Sequence, residues 1–228
     1  GGDTKPGVQW TRTAALCSPL TPTVRRQPLS TSRAGPHMNA LHESVLDAWR
    51  VGSRATAFLI ERLPSDLWSL GLPGAPRRTV RSIAVHLHNC RCLWMNSLAK
   101  QSGVAIPRRV GRATVTQAEV LAALALSSDA VCRLLRVGLE NGGVFPGVST
   151  RFIYGAMPRD AVLFCGYALS HEAHHRGQLI LTARALSHRL PPPTIGGLWQ
   201  WSSRLREATA NPSLAPNPGV QRTRFARR

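Results

Sequence analysis

The sequence predicts an all-α protein, a four-helix bundle with a short fifth helix near its carboxyl end. Three observations lead there. Four long segments carry apolar residues at helical spacing, capping or breaking residues bound them, and no stretch alternates convincingly with the period of a strand. At 228 residues the chain could form one large domain or two small ones. Both ends fall away in composition. Residues 1–37 scatter Pro6, Pro19, Pro22, Pro28 and Pro36 among Ser, Thr and Arg, and residues 209–228 carry Pro212, Pro216 and Pro218 ahead of four arginines. Neither end offers enough apolar surface to offset the entropy of ordering it. The expected organisation is a disordered extension over 1–37, a bundle over 38–208 and a disordered basic tail over 209–228. Met38 directly precedes the first clean helical pattern and reads as a natural start, with 1–37 an extension upstream of it.

The first helix is expected to be capped by Asn39 and to run through Leu41, Val45, Trp49, Ala55, Phe58, Leu59 and Leu63, ending before Pro64. Gly52 weakens its middle. Residues 64–78 form a turn-rich connection. Thr79 then caps a second helix over about 80–100, with Ile83, Leu87, Leu93, Trp94 and Leu98 as core candidates. After a loop from Gln101 to Val115, Thr116-Gln-Ala-Glu119 is a capping box that opens a third helix, and Asn141-Gly-Gly143 stops it. Pro158 suits the first turn of a fourth helix reaching about Ser187. Beyond Pro191-Pro-Pro193, the segment Leu198–Ala208, with Trp199 and Trp201, reads as the short fifth helix.

The formal charge is +18, with 29 Lys/Arg against 11 Asp/Glu. The two ends hold nine of the basic residues and one of the acids, so the segment between them stays basic. Lys5 and Lys100 are the only lysines; the arginines are scattered rather than clustered. Such a surplus permits anionic ligands. No basic helix, zinc finger or RNA-binding signature gives it an address, so nucleic acid is not the expected partner. Five cysteines without CxxC spacing argue against a disulfide framework and fit a reducing cytoplasm. No apolar run approaches membrane length.

The stretch Tyr167-Ala-Leu-Ser-His-Glu-Ala-His-His-Arg-Gly-Gln178 carries the chemistry. His171 and His175 stand four residues apart, which on a helix puts both imidazoles on one face, one turn apart, within reach of one metal ion. Tyr167, Leu169, Ala173, Leu179 and Ile180 read as buried helix, where an unpartnered imidazole is costly. A third ligand is needed. On the second helix His86 shares a face with Ile83 and Leu93. His88, about 200° around the axis, projects elsewhere and reads as a surface or capping residue. His174 either flanks the site or faces solvent. The same stretch satisfies HExxH, but no third ligand of the protease pattern follows, so Glu172 reads as facing solvent or standing behind the ligands. Arg176 could hold a substrate carboxylate or be solvated. Gly177 is expected to let a neighbouring helix approach closely.

Two motifs carry a resemblance. Thr79-Val-Arg-x-x-x-x-His86, with Trp94 two turns on, and His171-x-x-x-His175-Arg-Gly-Gln178 resemble the two metal motifs of the DinB/YfiT-like family, in matching order across about 38–190. The resemblance implies an up-down-down-up bundle, often a homodimer, with a divalent metal on His86, His171 and His175. Imidazole donors suit Zn²⁺, Ni²⁺ and Fe²⁺ alike. It further implies a metal-dependent enzyme joining a low-molecular-weight thiol to an electrophilic small molecule, or a hydrolase. The alternative is a non-catalytic metal- or ligand-binding stress-response bundle. An open coordination position separates the two.

Overall fold

The computed structural model describes residues 36–72 and 74–210. Most of the two ends expected to be disordered lies outside this range, but Pro36 and His37 belong to α1 and Thr209 and Ala210 to α6. Four long helices form the body: α1 (Pro36–Glu61), α2 (Val80–Leu98), α3 (Gln117–Glu140) and α4 (Ala161–Ala185). Two short helices follow, α5 (Pro192–Gly197) and α6 (Trp201–Ala210), in place of the single one expected over Leu198–Ala208. Trp199 and Trp201 are both exposed. Two small antiparallel hairpins complete the fold. One pairs β1 (Gly71–Leu72) with β2 (Ala75–Thr79), and the other pairs β3 (Phe152–Ile153) with β4 (Met157–Pro158).

Local chemistry explains most boundaries. Thr79 caps α2 by accepting a hydrogen bond from the Ser82 amide at 3.0 Å. The Thr116–Glu119 capping box forms in both directions at the start of α3. Two expected caps are displaced. Helix α1 begins at Pro36, so Asn39 lies inside its first turn. Helix α4 begins after Asp160, whose carboxylate accepts from the Leu163 amide at 2.9 Å. Pro158 belongs instead to β4, where its missing N–H costs nothing at a strand edge.

Side-chain pairs fix the helix directions. Val45 and Thr56 of α1 meet Cys165 and Glu172 of α4, so these two helices run in parallel. Glu43 meets Arg136, and the Leu63 carbonyl meets Gln117, so α3 opposes α1. His86 and Trp94 of α2 meet His175 and Phe164, so α2 opposes α4. The order is up-down-down-up. Since α2 and α3 point the same way, residues 99–116 must travel back along the bundle. Gly52 sits where α1 crosses α4, and a Cβ there would meet the Leu169 side chain. Its cost in helix propensity is thus exchanged for a close crossing. Gly177, expected to serve that purpose, faces open space.

The core has an apolar half on either side of a polar middle. One half gathers Leu46, Trp49, Trp94, Leu134, Phe145 and Phe164, the other Leu59, Val80, Leu87, Val120, Leu124 and Leu179. Leu41, Leu93 and Ala173, expected in the core, are exposed. In the polar middle Arg91 and Glu172, both 0 % exposed, form an ion pair at 2.9 Å. Arg91 also donates to the Leu124 carbonyl and to the hydroxyls of Ser127 and Ser53, while Thr56 donates to Glu172 at 2.6 Å. Burial works against ionisation of Glu172, but the Arg91 charge and the bonds from Arg91 and Thr56 outweigh it and hold the carboxyl below its usual range.

Breaking a buried pair from one side costs about 3–5 kcal/mol, because the remaining charge stays buried without compensation. Glu172→Gln is expected to lower stability on that scale in urea unfolding, and the apolar double variant Arg91→Met/Glu172→Met to recover most of the loss. A double variant no more stable than the single one would show that the pair does more than satisfy itself. The pair's contribution is present above the ordinary carboxylate pKa and is lost as pH falls through the depressed value.

Candidate metal centre

His86 reaches the bundle interior because Thr79 fixes the start of α2, and His86 lies one turn beyond the buried Ile83. His171 and His175 project from one face of α4. One nitrogen from each of the three rings can be chosen so that all lie within 4.8 Å of one another. The ring of His175 stands 4.4 Å from that of His171 and 4.6 Å from that of His86, centroid to centroid. Trp94 closes the far side with its ring 5.0 Å from His171. Among the described residues, no further His, Cys, Asp or Glu joins this group.

The donor set fits a divalent cation. His175 Nδ1 lies 2.8 Å from Gln178 Oε1, and Gln178 Nε2 lies 2.6 Å from His174 Nε2. The amide therefore accepts the Nδ1 proton of His175 and donates to His174. That leaves the His175 Nε2 lone pair facing His171 Nε2 at 3.1 Å. Either His171 carries a proton on Nε2, or a cation separates the two lone pairs. Two nitrogens bound to one tetrahedral zinc at about 2.0–2.1 Å stand roughly 3.3 Å apart, close to the observed spacing. His171 Nδ1 is buried without a hydrogen-bond partner.

Electrostatics favour the neutral rings that a metal requires. Burial, then the neighbouring charges of His175 and His86, push the His171 pKa down to about 4, with Glu172 opposing weakly. His86 is lowered by burial, then by His175, Arg112 and Arg78. His175 is lowered by burial, against the opposing bond from Gln178. Cys90, one turn beyond His86, has its thiol 3.3 Å from His86 Nε2, and burial raises its pKa to about 11.

The other sequence candidates take different places. His88 is buried rather than on the surface. Its ring bonds Ser127 Oγ at 3.1 Å and the Arg108 carbonyl at 2.9 Å. Asn89 beside it exchanges two hydrogen bonds with the Val110 backbone, so α2 pins the loop that follows it. Glu172 does not face solvent, and its oxygens are engaged by Arg91 and Thr56, so it is not placed to act as an HExxH general base. Arg176 is largely desolvated rather than free, donating to the Gly52 carbonyl and Thr56. Gln178 is the site residue that spacing alone did not assign. Its signal was its place three residues after His175, on the same helical face.

A cleft of about 660 Å³ opens beside the triad, with His86, His175 and Gln178 in its wall. Residues from β2, the start of α2 and the loop 101–115 complete it. No helix among the described residues is long and apolar enough to cross a membrane. No curated protein and no solved structure gave a match to the chain. One family model does match, the DinB family, over residues 38–207, which takes in all three histidines and all four long helices from Met38 onward. With a match across most of its length, the chain belongs to the DinB family.

Proposed function

We propose that His86, His171 and His175 hold a divalent metal ion and that the centre is catalytic, serving thiol-dependent group transfer or hydrolysis. The single observation that carries this reading is the convergence of three imidazoles, two of which, His86 and His175, also line an open cleft. Three protein donors leave coordination positions for water or substrate, as catalytic zinc sites do. A dication held there would supply Lewis acidity and lower the pKa of a bound thiol or water toward neutrality. Gln178 fixes the tautomer of His175, Trp94 packs behind His171, and the cleft admits the second reactant. Zn²⁺, Ni²⁺ and Fe²⁺ all suit these donors.

The partners proposed are a low-molecular-weight thiol and an electrophilic small molecule. Cys90, Cys92, Cys132 and Cys165 are free, which favours a reducing cytoplasm. A homodimer belongs to the same proposal; exposed Leu181 and Trp199 offer apolar surface for it. The deciding experiment is elemental analysis of purified protein followed by a screen of thiols against electrophiles. Bound metal without turnover under any pairing would favour a non-catalytic binding bundle.

Two further outcomes are expected. Gln178→Ala should weaken metal binding about 10–100-fold, the usual scale for a residue that orients a ligating ring. His86→Ala, His171→Ala and His175→Ala should each lose more. His88→Asn should keep its metal while melting at lower temperature, and loss of metal from it would mean that His88 is a ligand.

The pH dependence follows from the depressed histidine. Between about pH 6.5 and 4 the unfolded chain binds a proton at His171 that the folded chain refuses. The metal-free protein should therefore lose stability as pH falls through that window, and less steeply in His171→Gln. Metal release on acidification should be steeper than a one-proton titration, since three rings compete for protons. A shallow one-proton curve would contradict a three-histidine site.

A further inference from the structure

The cleft beside the triad is lined by four arginines, Arg77 and Arg78 from β2, Arg81 from the first turn of α2 and Arg112 from the loop ahead of α3. No Asp or Glu lines it among the described residues. Elsewhere in the bundle Arg50, Arg54, Arg62, Arg91, Arg133, Arg136 and Arg204 pair with carboxylates, while others such as Arg159, Arg184 and Arg206 do not. None of the four cleft arginines is ion-paired among the described residues. Arg81 Nε is moreover buried without a hydrogen-bond partner.

Four like charges around one concavity, those of Arg77, Arg78 and Arg112 exposed, raise the local positive potential and favour an anion there. Their arrangement is built rather than incidental. Pairing of β1 with β2 presents Arg77 and Arg78, the Arg81 amide is tied to the Trp68 carbonyl at 2.9 Å, and the Asn89–Val110 clamp holds the strand of chain that carries Arg112. Guanidinium groups bind carboxylate and phosphate oxygens through paired, charge-assisted hydrogen bonds.

We propose that this cleft selects a small molecule bearing at least two anionic oxygen groups, carboxylates or a phosphate ester, and presents it to the reactive centre. The proposal rests on the reading of His86, His171 and His175 as that centre for its second half alone; anion capture by the arginines stands independently. A nucleic-acid backbone is the less fitting occupant, because the charges converge on a concavity ending at the triad instead of tracking an extended groove.

The test uses full-length protein of measured metal content, with citrate and inorganic phosphate as probes in titration calorimetry at low ionic strength. Both should bind at millimolar concentration or tighter, and the tighter of the two identifies a carboxylate or a phosphate source. Arg78→Gln/Arg112→Gln should weaken binding by about tenfold or more, the scale of one lost charge-assisted contact, with metal content unchanged. Arg206→Gln, on the exposed face of α6, should bind as the wild type does. Absence of binding by both probes, or an equal loss in Arg206→Gln, overturns the proposal even where metal is present. Anion binding by a chain that takes up no metal would instead sustain the anion site and overturn the metal reading. A single-stranded oligonucleotide that binds tighter than either probe and is not displaced by citrate also overturns it, in favour of a nucleic-acid surface.

Discussion

The ion pair between Arg91 and Glu172 sits fully buried at the centre of the bundle and decides how α2 and α4 meet. Each partner is one residue or a few away from a histidine of the candidate centre: Glu172 adjoins His171, and Arg91 follows His86 by little more than a turn. Sliding α4 along α2 by one residue would separate the charges and strand both in an apolar interior. The pair therefore acts as a register pin more than as a source of net stability, since apolar replacements for buried pairs are often as stable. Its branches reach Ser53 and Thr56 on α1 and Ser127 on α3, so one polar cluster touches all four long helices. The three imidazoles inherit their alignment from it.

A second layer of order lies outside the helices. His88, about 200° around α2 from His86, and Asn89 grip the returning loop through the Arg108 carbonyl and the Val110 backbone. Helix α2 thus serves two tasks, with His86 turned to the candidate centre and the next two polar residues holding the wall of the cleft. Gln178 does the corresponding work on α4, joining His174 to His175 and setting which nitrogen of His175 is free.

Much of this was legible in the sequence. The helical periods, the Thr79 cap, the Thr116–Glu119 box and the i,i+4 histidines are local signals, and each appears where it was expected. Three-dimensional facts were not legible. The buried state of His88 depends on a loop partner about twenty positions away, and Glu172 was left between facing solvent and standing behind the ligands because its partner Arg91 lies on another helix. The hairpin before α2 escaped notice because β1 has only two residues and β2, Ala75-Pro-Arg-Arg-Thr79, carries no alternating apolar pattern. Gly177 was credited with a close approach that belongs to Gly52, since a glycine's spacing does not reveal what it faces. Leu93 is exposed because it lies two turns beyond the half-buried His86 on the same side of α2, while Trp94, Met95 and Leu98 turn into the core.

The parallel course of α2 and α3 has a consequence for how the protein is made. At 1.5 Å per residue, the 19 residues of α2 span roughly 28 Å, and the connection after it must cover that distance in reverse. Helices α1 to α3 can emerge during synthesis and begin to associate, with His86 already in place. Its two companions are encoded together on the last long helix, and so is Glu172, the counterion of Arg91. Until α4 docks, the nascent chain holds a buried-to-be guanidinium without its carboxylate and one imidazole without its pair. Docking of α4 thus neutralises the core and completes the candidate donor set at once, so a chain without α4 has neither the counterion of Arg91 nor the three-histidine group.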